Sequence, residues 1–203
     1  MENLDLIKNS IKEEMRKSSG VMKTADLYEK CGLTYYLLDR LVKEEFLRRI
    51  KNGYYSVKDE EHSEEEILGA LFPDGVLCMQ SALYAYGYLK EKPFAYHIAI
   101  DKNTSKSRFV MDYPVVVPYY TEPSVLSLGV TGILIDGINF KIYDRDRLMV
   151  DILKYEKKLE RDEFKSALAN YIIDEKKNVD NLIRYAKERK VYKKVETMLG
   201  VWL

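Results

Sequence analysis

Cysteine, histidine and tryptophan are scarce in this chain: two, two and one among 203 residues. Cys31, Cys78, His62 and His97 do not fall into any familiar four-ligand zinc spacing. Two cysteines make no disulfide framework, so a reducing compartment is expected. The opening Met1-Glu2-Asn3-Leu4-Asp5 lacks a basic stretch and a long apolar one. No run approaches the roughly 18 apolar residues of a membrane span. The expectation is a cytoplasmic protein with no membrane partner. Neither sign of charge is in excess: 33 basic residues face 33 acids, a net charge of zero. That excludes a globally basic polyanion binder and confines any nucleic-acid site to a local patch. Also missing are a glycine-rich phosphate loop, a metal-ligand motif and a serine-nucleophile elbow. The chain therefore reads as a non-enzyme with no cofactor.

What is abundant is apolar and tyrosyl surface. Hydrophobic residues make up 46% of the chain, enough for a core, and there are 17 tyrosines against 6 phenylalanines. Leu4, Ile7, Ile11 and Met15 recur at helical spacing. Thr24 can cap a second helix that runs to Cys31, with Gly32 closing it. Thr34 can cap a third, whose buried stripe is Leu37, Leu38, Leu41 and Val42. In Leu47 to Val57, Asn52-Gly53 is a favoured pair for a two-residue type I′ hairpin. Three helices and a hairpin predict a winged helix-turn-helix over residues 1–58. The polar run Lys58-Asp59-Glu60-Glu61-His62 marks the expected boundary.

Residues 59–203 predict a mixed α+β domain with helices at both ends of its strands. Ser63-Glu64-Glu65-Glu66 reads as a capping box. A helix is expected around Gln80 to Tyr86, ending at Gly87. Strands are expected at 97–100, 115–117, 132–135 and 138–143, with Asp136-Gly137 as a second hairpin turn. Helices are expected near 146–158, 162–173, 180–188 and 191–199.

A helix-turn-helix reads DNA by laying its second helix in the major groove. Opposite the buried stripe, Tyr36, Arg40 and Lys43 form one outward row. Arg40 has the shape to read guanine, and Lys43 suits phosphate. Tyr35 and Tyr36 begin the helix beside Thr34, and Asp39 would repel phosphate unless it pairs with Arg40 or accepts from cytosine. With Asn52-Gly53 as the loop, Lys51 would face Tyr54, Ile50 would face Tyr55 and Arg49 would face Ser56. Arg49, Lys51, Tyr54 and Ser56 would then share an exposed face, with Arg48 on the packed side and snorkelling outward. The candidate DNA-binding set is thus Thr34, Tyr35, Tyr36, Arg40, Lys43, Arg48, Arg49, Lys51, Asn52 and Tyr54. Charge supports it modestly: residues 1–57 carry 11 basic residues and 9 acids.

The second domain holds a charged junction, Asp144-Arg145-Asp146-Arg147, followed by Asp151. Asp146 can cap a helix there, and Arg147 and Asp151 stand at i and i+4. Cys78 and His97 lack a third group that would make them a catalytic pair. Residues 176–199 hold eight basic residues against three acids, a strip that suits a nucleic acid or a solvated helix face equally.

The layout resembles the AbiEi family of antitoxins from abortive-infection toxin-antitoxin systems. The likeness rests on the wing Arg48-Arg49-Ile50-Lys51-Asn52-Gly53-Tyr54-Tyr55, on Ser81-Ala82-Leu83-Tyr84-Ala85-Tyr86-Gly87, and on Pro93 and His97-Ile98-Ala99-Ile100. It continues through Ile135-Asp136-Gly137-Ile138, the junction from Tyr143 to Asp151, and Leu182-Ile183-Arg184-Tyr185-Ala186. The junction departs from the family's usual Pro-Glu-Arg-Thr, keeping Arg147 but carrying Asp146 and Leu148 beside it. The resemblance implies a type IV antitoxin. Its winged helix would bind inverted repeats in its own promoter and repress the operon. Its second domain would counter an AbiEii-type nucleotidyltransferase toxin without an obligatory stable complex, with Asp144, Arg147 and Asp151 as candidate antitoxin residues. The alternative is a winged-helix transcription regulator whose second domain senses a ligand or binds a protein.

Overall fold

The computed structural model describes residues 2–202. The fold is mixed α+β, with a three-stranded and a five-stranded sheet among the described residues. The chain divides into two compact units. One is 1–73 together with 110–114; the other is 74–109 and 115–203. The first unit extends past residue 58, so the helix begun at Ser63 lies inside it.

In the first unit, α1 (Glu2–Lys17), α2 (Thr24–Cys31) and α3 (Tyr35–Lys43) surround a core of Ile11, Met15, Leu27, Leu38, Leu41 and Leu47. Apolar residues at every third or fourth position put one face of each helix inside. Gly32 closes α2 at a φ of 65°, the left-handed conformation that glycine adopts without a Cβ penalty. Thr34 caps α3 by accepting the Leu37 amide at 3.3 Å. The sheet has the order β1 (Met22–Lys23), β3 (Tyr54–Val57), β2 (Leu47–Lys51), all antiparallel. Strand β1 escaped the sequence reading because two residues show no periodicity. At Ser63 the capping box forms. The Ser63 amide donates to Glu66 at 2.9 Å and the Glu66 amide to the Ser63 hydroxyl at 3.1 Å, starting α4 (Glu64–Leu71).

The hairpin departs from the expected register. Lys51 faces Tyr54, but beyond it Arg49 faces Tyr55, Arg48 faces Ser56 and Leu47 faces Val57. Ile50 is a bulge, and one extra residue moves every later side chain to the opposite face. Arg49 thus shares the face of Tyr55, and Ser56 is buried instead of exposed. The turn also differs from type I′, since Gly53 has a φ of 80° while Asn52 keeps a negative one.

In the second unit the sheet has the order β6 (Val116–Thr121), β5 (Tyr96–Asp101), β4 (Val76–Leu77), β8 (Ile138–Tyr143), β7 (Val130–Ile135). The β6–β5 and β4–β8 pairs are parallel; β5–β4 and β8–β7 are antiparallel. Both turn residues between β7 and β8, Asp136 and Gly137, take positive φ, the type I′ geometry. Around the sheet lie α5 (Met79–Ala85), the single turn α6 (Pro123–Leu126), α7 (Arg145–Lys154), α8 (Arg161–Ile173), α9 (Val179–Glu188) and α10 (Tyr192–Leu199). Helix α7 is buried from Asp146 to Leu153 and is the centre of this unit.

Gly129 precedes β7 at a φ of 74°, and a Cβ there would meet the Arg147 Cβ at 2.6 Å. Gly129→Ala combines left-handed strain with a clash of the new Cβ against the Arg147 Cβ, which is fixed to the α7 backbone and cannot swing away. It should cost about 2 kcal/mol or more, read as a fall in the urea midpoint.

Candidate nucleic-acid interface and the buried charge cluster

Helix α3 begins with two tyrosines in water: Tyr35 is 78% exposed and Tyr36 is 77% exposed. A globular surface rarely presents adjacent aromatic rings so fully. Arg40 and Lys43 also point outward, and each has an acid on the same helix face. The Arg40 Nε donates to Glu44 at 2.7 Å, and the Lys43 Nζ lies 2.7 Å from Asp39. Of the two roles open to Asp39, pairing with Arg40 is not the one it takes here, because i to i+4 geometry brings it to Lys43. Glu44 also receives Lys8 at 3.4 Å, and these two cations hold its carboxyl below the usual range. Since Glu44 engages Arg40 at Nε, it steadies the guanidinium by its stem side.

The hairpin stands next to α3. Tyr35, Leu38, Asp39 and Val42 from the helix, with Arg49 and Tyr55 from the strands, line a cleft of about 210 Å³. Helix and hairpin thus open on a common side. Arg49 donates to the Tyr55 hydroxyl at 3.3 Å through Nε and 3.1 Å through Nη2. Arg48 and Arg49 also line a second cleft of about 510 Å³ in the same unit, with Lys58, His62, Asp112 and Tyr113. At the hairpin tip, Lys51 lies over the Tyr54 ring at 5.1 Å and over Phe72 at 5.7 Å. Lys23 approaches Tyr54 from β1 at 6.0 Å. It was missed because β1 was not legible as a strand. Asn52 is exposed at the turn.

The three candidate antitoxin residues lie in the second unit, in a different setting. Asp144, not Asp146, caps α7, taking the Arg147 amide at 2.7 Å. Its other oxygen accepts the Tyr185 hydroxyl at 2.9 Å. Arg147 is 0% exposed. Its Nε donates to Asp151 at 3.1 Å, and its Nη1 donates to the carbonyls of Val125 and Leu128, each at 2.7 Å. The guanidinium also stacks 4.2 Å from the Tyr143 ring centre. Asp151, 4% exposed, takes a second guanidinium on its other oxygen, the Arg189 Nε at 2.8 Å. Burial opposes the charge on Arg189, but the charges and hydrogen bonds of Asp151 and Tyr155 together outweigh it and strengthen its hold on the proton.

Around this core the acids find further donors. Asp146 accepts the Tyr171 hydroxyl at 2.9 Å and the Asn178 amide at 2.8 Å, while burial pushes its pKa up. Asp174 accepts Tyr88 at 2.6 Å and Arg145 at 2.8 Å. Sequence reasoning placed Arg189 in a basic surface strip. Its membership of the cluster joins positions 38 residues apart, which helical spacing cannot reveal. Elsewhere in the strip, Lys194 pairs with Glu156 at 2.8 Å. The Cys78 thiol is raised well above its ordinary pKa by burial, and burial lowers His97 to about 4. A raised thiol and a depressed imidazole are the reverse of an activated pair.

No family profile matches the chain, and no curated protein sequence does. A crystal structure of the Rv2827c protein from Mycobacterium tuberculosis is similar, with a TM-score of 0.69 at 13% identity. The match covers 97% of this chain and 77% of that one. At that identity the likeness is one of fold. No described helix is long and apolar enough to cross a membrane.

Asp151→Asn removes the charge that two buried guanidiniums share, and should cost about 3–5 kcal/mol in chemical denaturation. Replacing Arg147, Asp151 and Arg189 together with apolar residues of similar volume should cost less than that single change. Acid should also weaken the unit through His97. Its folded pKa of about 4 lies below the ordinary 6.5. The unfolded chain therefore takes the proton first, and stability present above pH 6.5 is lost as pH falls towards 4. His97→Gln should flatten that part of the melting-temperature profile.

Proposed function

We propose that this protein is a DNA-binding antitoxin that represses its own operon. In this reading the first unit is a winged helix-turn-helix. α3 lies in the major groove and the β2–β3 hairpin touches the flanking backbone. The second unit counters a nucleotidyltransferase toxin of the AbiEii type. The observation that carries the DNA-binding half is the exposed Tyr35-Tyr36 start of α3, with Tyr35 sharing one cleft with Arg49 of the hairpin. The antitoxin half rests on the family resemblance of the sequence.

The geometry divides the roles. Tyr35 and Tyr36 suit phosphate and thymine-methyl contact at the helix start. Arg40, held at Nε by Glu44, keeps its terminal nitrogens for a guanine edge. Lys43 must leave Asp39 to reach phosphate, so its contribution is small. Arg48 and Arg49 supply backbone contacts from the hairpin. Asp144, Arg147 and Asp151 serve as scaffold, since Arg147 and Asp151 have no surface to offer a toxin.

Binding to DNA from upstream of the operon, followed by fluorescence anisotropy over a salt series, tests the reading. Arg40→Ala should cost about 1–3 kcal/mol on the operator and little on random DNA. Arg48→Ala should weaken both and lower the salt slope by about one unit. Asp39→Asn, which frees Lys43, should tighten binding to both. No binding at low salt by the wild-type chain would overturn the repressor assignment. Rescue of toxin-expressing cells by the Arg48→Ala protein would show that the two functions are separable, and failure of the wild-type chain to rescue would overturn the antitoxin half.

A further inference from the structure

The two edges of the five-stranded sheet are unequal. β6 forms one edge and β7 the other. β6 carries Pro118 at its centre, with the ladder to β5 continuous past it. The missing N–H therefore belongs to the outward side, a device that stops another strand from adding there. β7, Val130-Thr131-Gly132-Ile133-Leu134-Ile135, has no proline and no charge. Natural edges of this length normally carry one or the other.

The type I′ turn settles which groups of β7 remain unpaired by β8. Its closing pair, Ile135 and Ile138, exchanges both hydrogen bonds, so the alternate residues Gly132 and Leu134 turn their N–H and C=O outward. The Val130 amide already donates to Ser127 at 3.3 Å. Leu134 is 65% exposed, and a Cβ on Gly132 would meet nothing within 4 Å. On the opposite face of the hairpin, Ile133, Ile135, Ile138 and Phe140 are only half-buried.

We propose that the β7 edge pairs antiparallel with β7 of a second copy of this chain, joining two sheets into one across a two-fold axis. Three features favour a second copy over a foreign strand. An uncharged strand meets no like charge when it faces itself. With Gly132 opposite the partner's Leu134, every outward N–H and C=O of both residues is satisfied, and Ile133 falls on the axis. The half-buried apolar faces of the two hairpins then become continuous. Pro118 closes the far edge, so pairing stops at two chains and no filament can grow. Six residues a side bury less than the ~1,600 Å² of a standard interface, so the dimer is a weak one that depends on concentration. This inference is independent of DNA binding.

The test is sedimentation of the full chain from low to high micromolar concentration, with amide hydrogen exchange on the same samples. The wild type should shift from monomer to dimer, with the amides of Gly132 and Leu134 gaining protection as it does. Gly132→Pro removes one outward donor without touching the β8 ladder, and Leu134→Lys places a charge on the exposed edge. Both should remain monomeric with unchanged circular dichroism. A wild type that stays monomeric throughout overturns the proposal and leaves the edge to a strand from another protein. A dimer that forms without protecting Gly132 and Leu134, or that survives Leu134→Lys, overturns it too.

Discussion

Asp151 receives two guanidinium groups in a site closed to water, and the second unit is arranged around that fact. Burying three charges costs more than any one attraction returns, so each must be fully bonded. Arg147 comes close, reaching from α7 to the carbonyls of Val125 and Leu128, which fixes the segment leading into β7, although its buried Nη2 is left without a hydrogen-bond partner. Arg189 brings the end of α9 to the same carboxylate. One acid therefore sets the relation of α7, α9 and the approach to the sheet. Asp144, Asp146 and Asp174 extend the arrangement with tyrosine hydroxyls and further backbone donors. The abundance of tyrosine has its reason here, since a phenol combines core packing with a donor that a buried carboxylate needs.

The first unit depends on a smaller detail. One bulged residue, Ile50, decides which face of the hairpin each cation occupies. The bulge brings Arg49 over the Tyr55 hydroxyl and into the cleft shared with α3, and puts Arg48 one position away on the other side. A regular hairpin of the same sequence would have reversed the two. On α3 the acids temper the cations instead of adding to them. Selectivity in the proposed interface therefore comes from oriented groups more than from net positive charge.

Much of the architecture was legible in the sequence because its signals were local. Thr34, Gly32, the Ser63–Glu66 box and the Asp136-Gly137 turn each act within four residues, and each is where the chain's chemistry places it. Strands β1 and β4 were not legible, since two residues carry no period and their pairing comes from elsewhere in the chain. The register of the β2–β3 hairpin failed for a related reason. Asn-Gly favours a type I′ turn, but the bulge and the bond from Thr24 to the Gly53 carbonyl at 2.9 Å are set by tertiary packing. Of the candidate residues, the pairing of Arg147 with Asp151 was readable from helical spacing. The third member, Arg189, was not, because only the folded chain makes it a neighbour.

Strand β4 has a consequence beyond topology. It sits at the middle of the second sheet, yet among the described residues its strand pairing is limited to Val76 and Leu77, extended on the β5 side by the Cys78 amide to the His97 carbonyl at 3.0 Å. The sheet is therefore two hairpin-sized leaves bound along a narrow seam. Each leaf is held internally by a six-residue ladder, while the seam carries little backbone bonding of its own. Helix α7 packs on β8 and on α5, which in turn packs on β5, and thermal opening of this unit should part the leaves before it unravels either one.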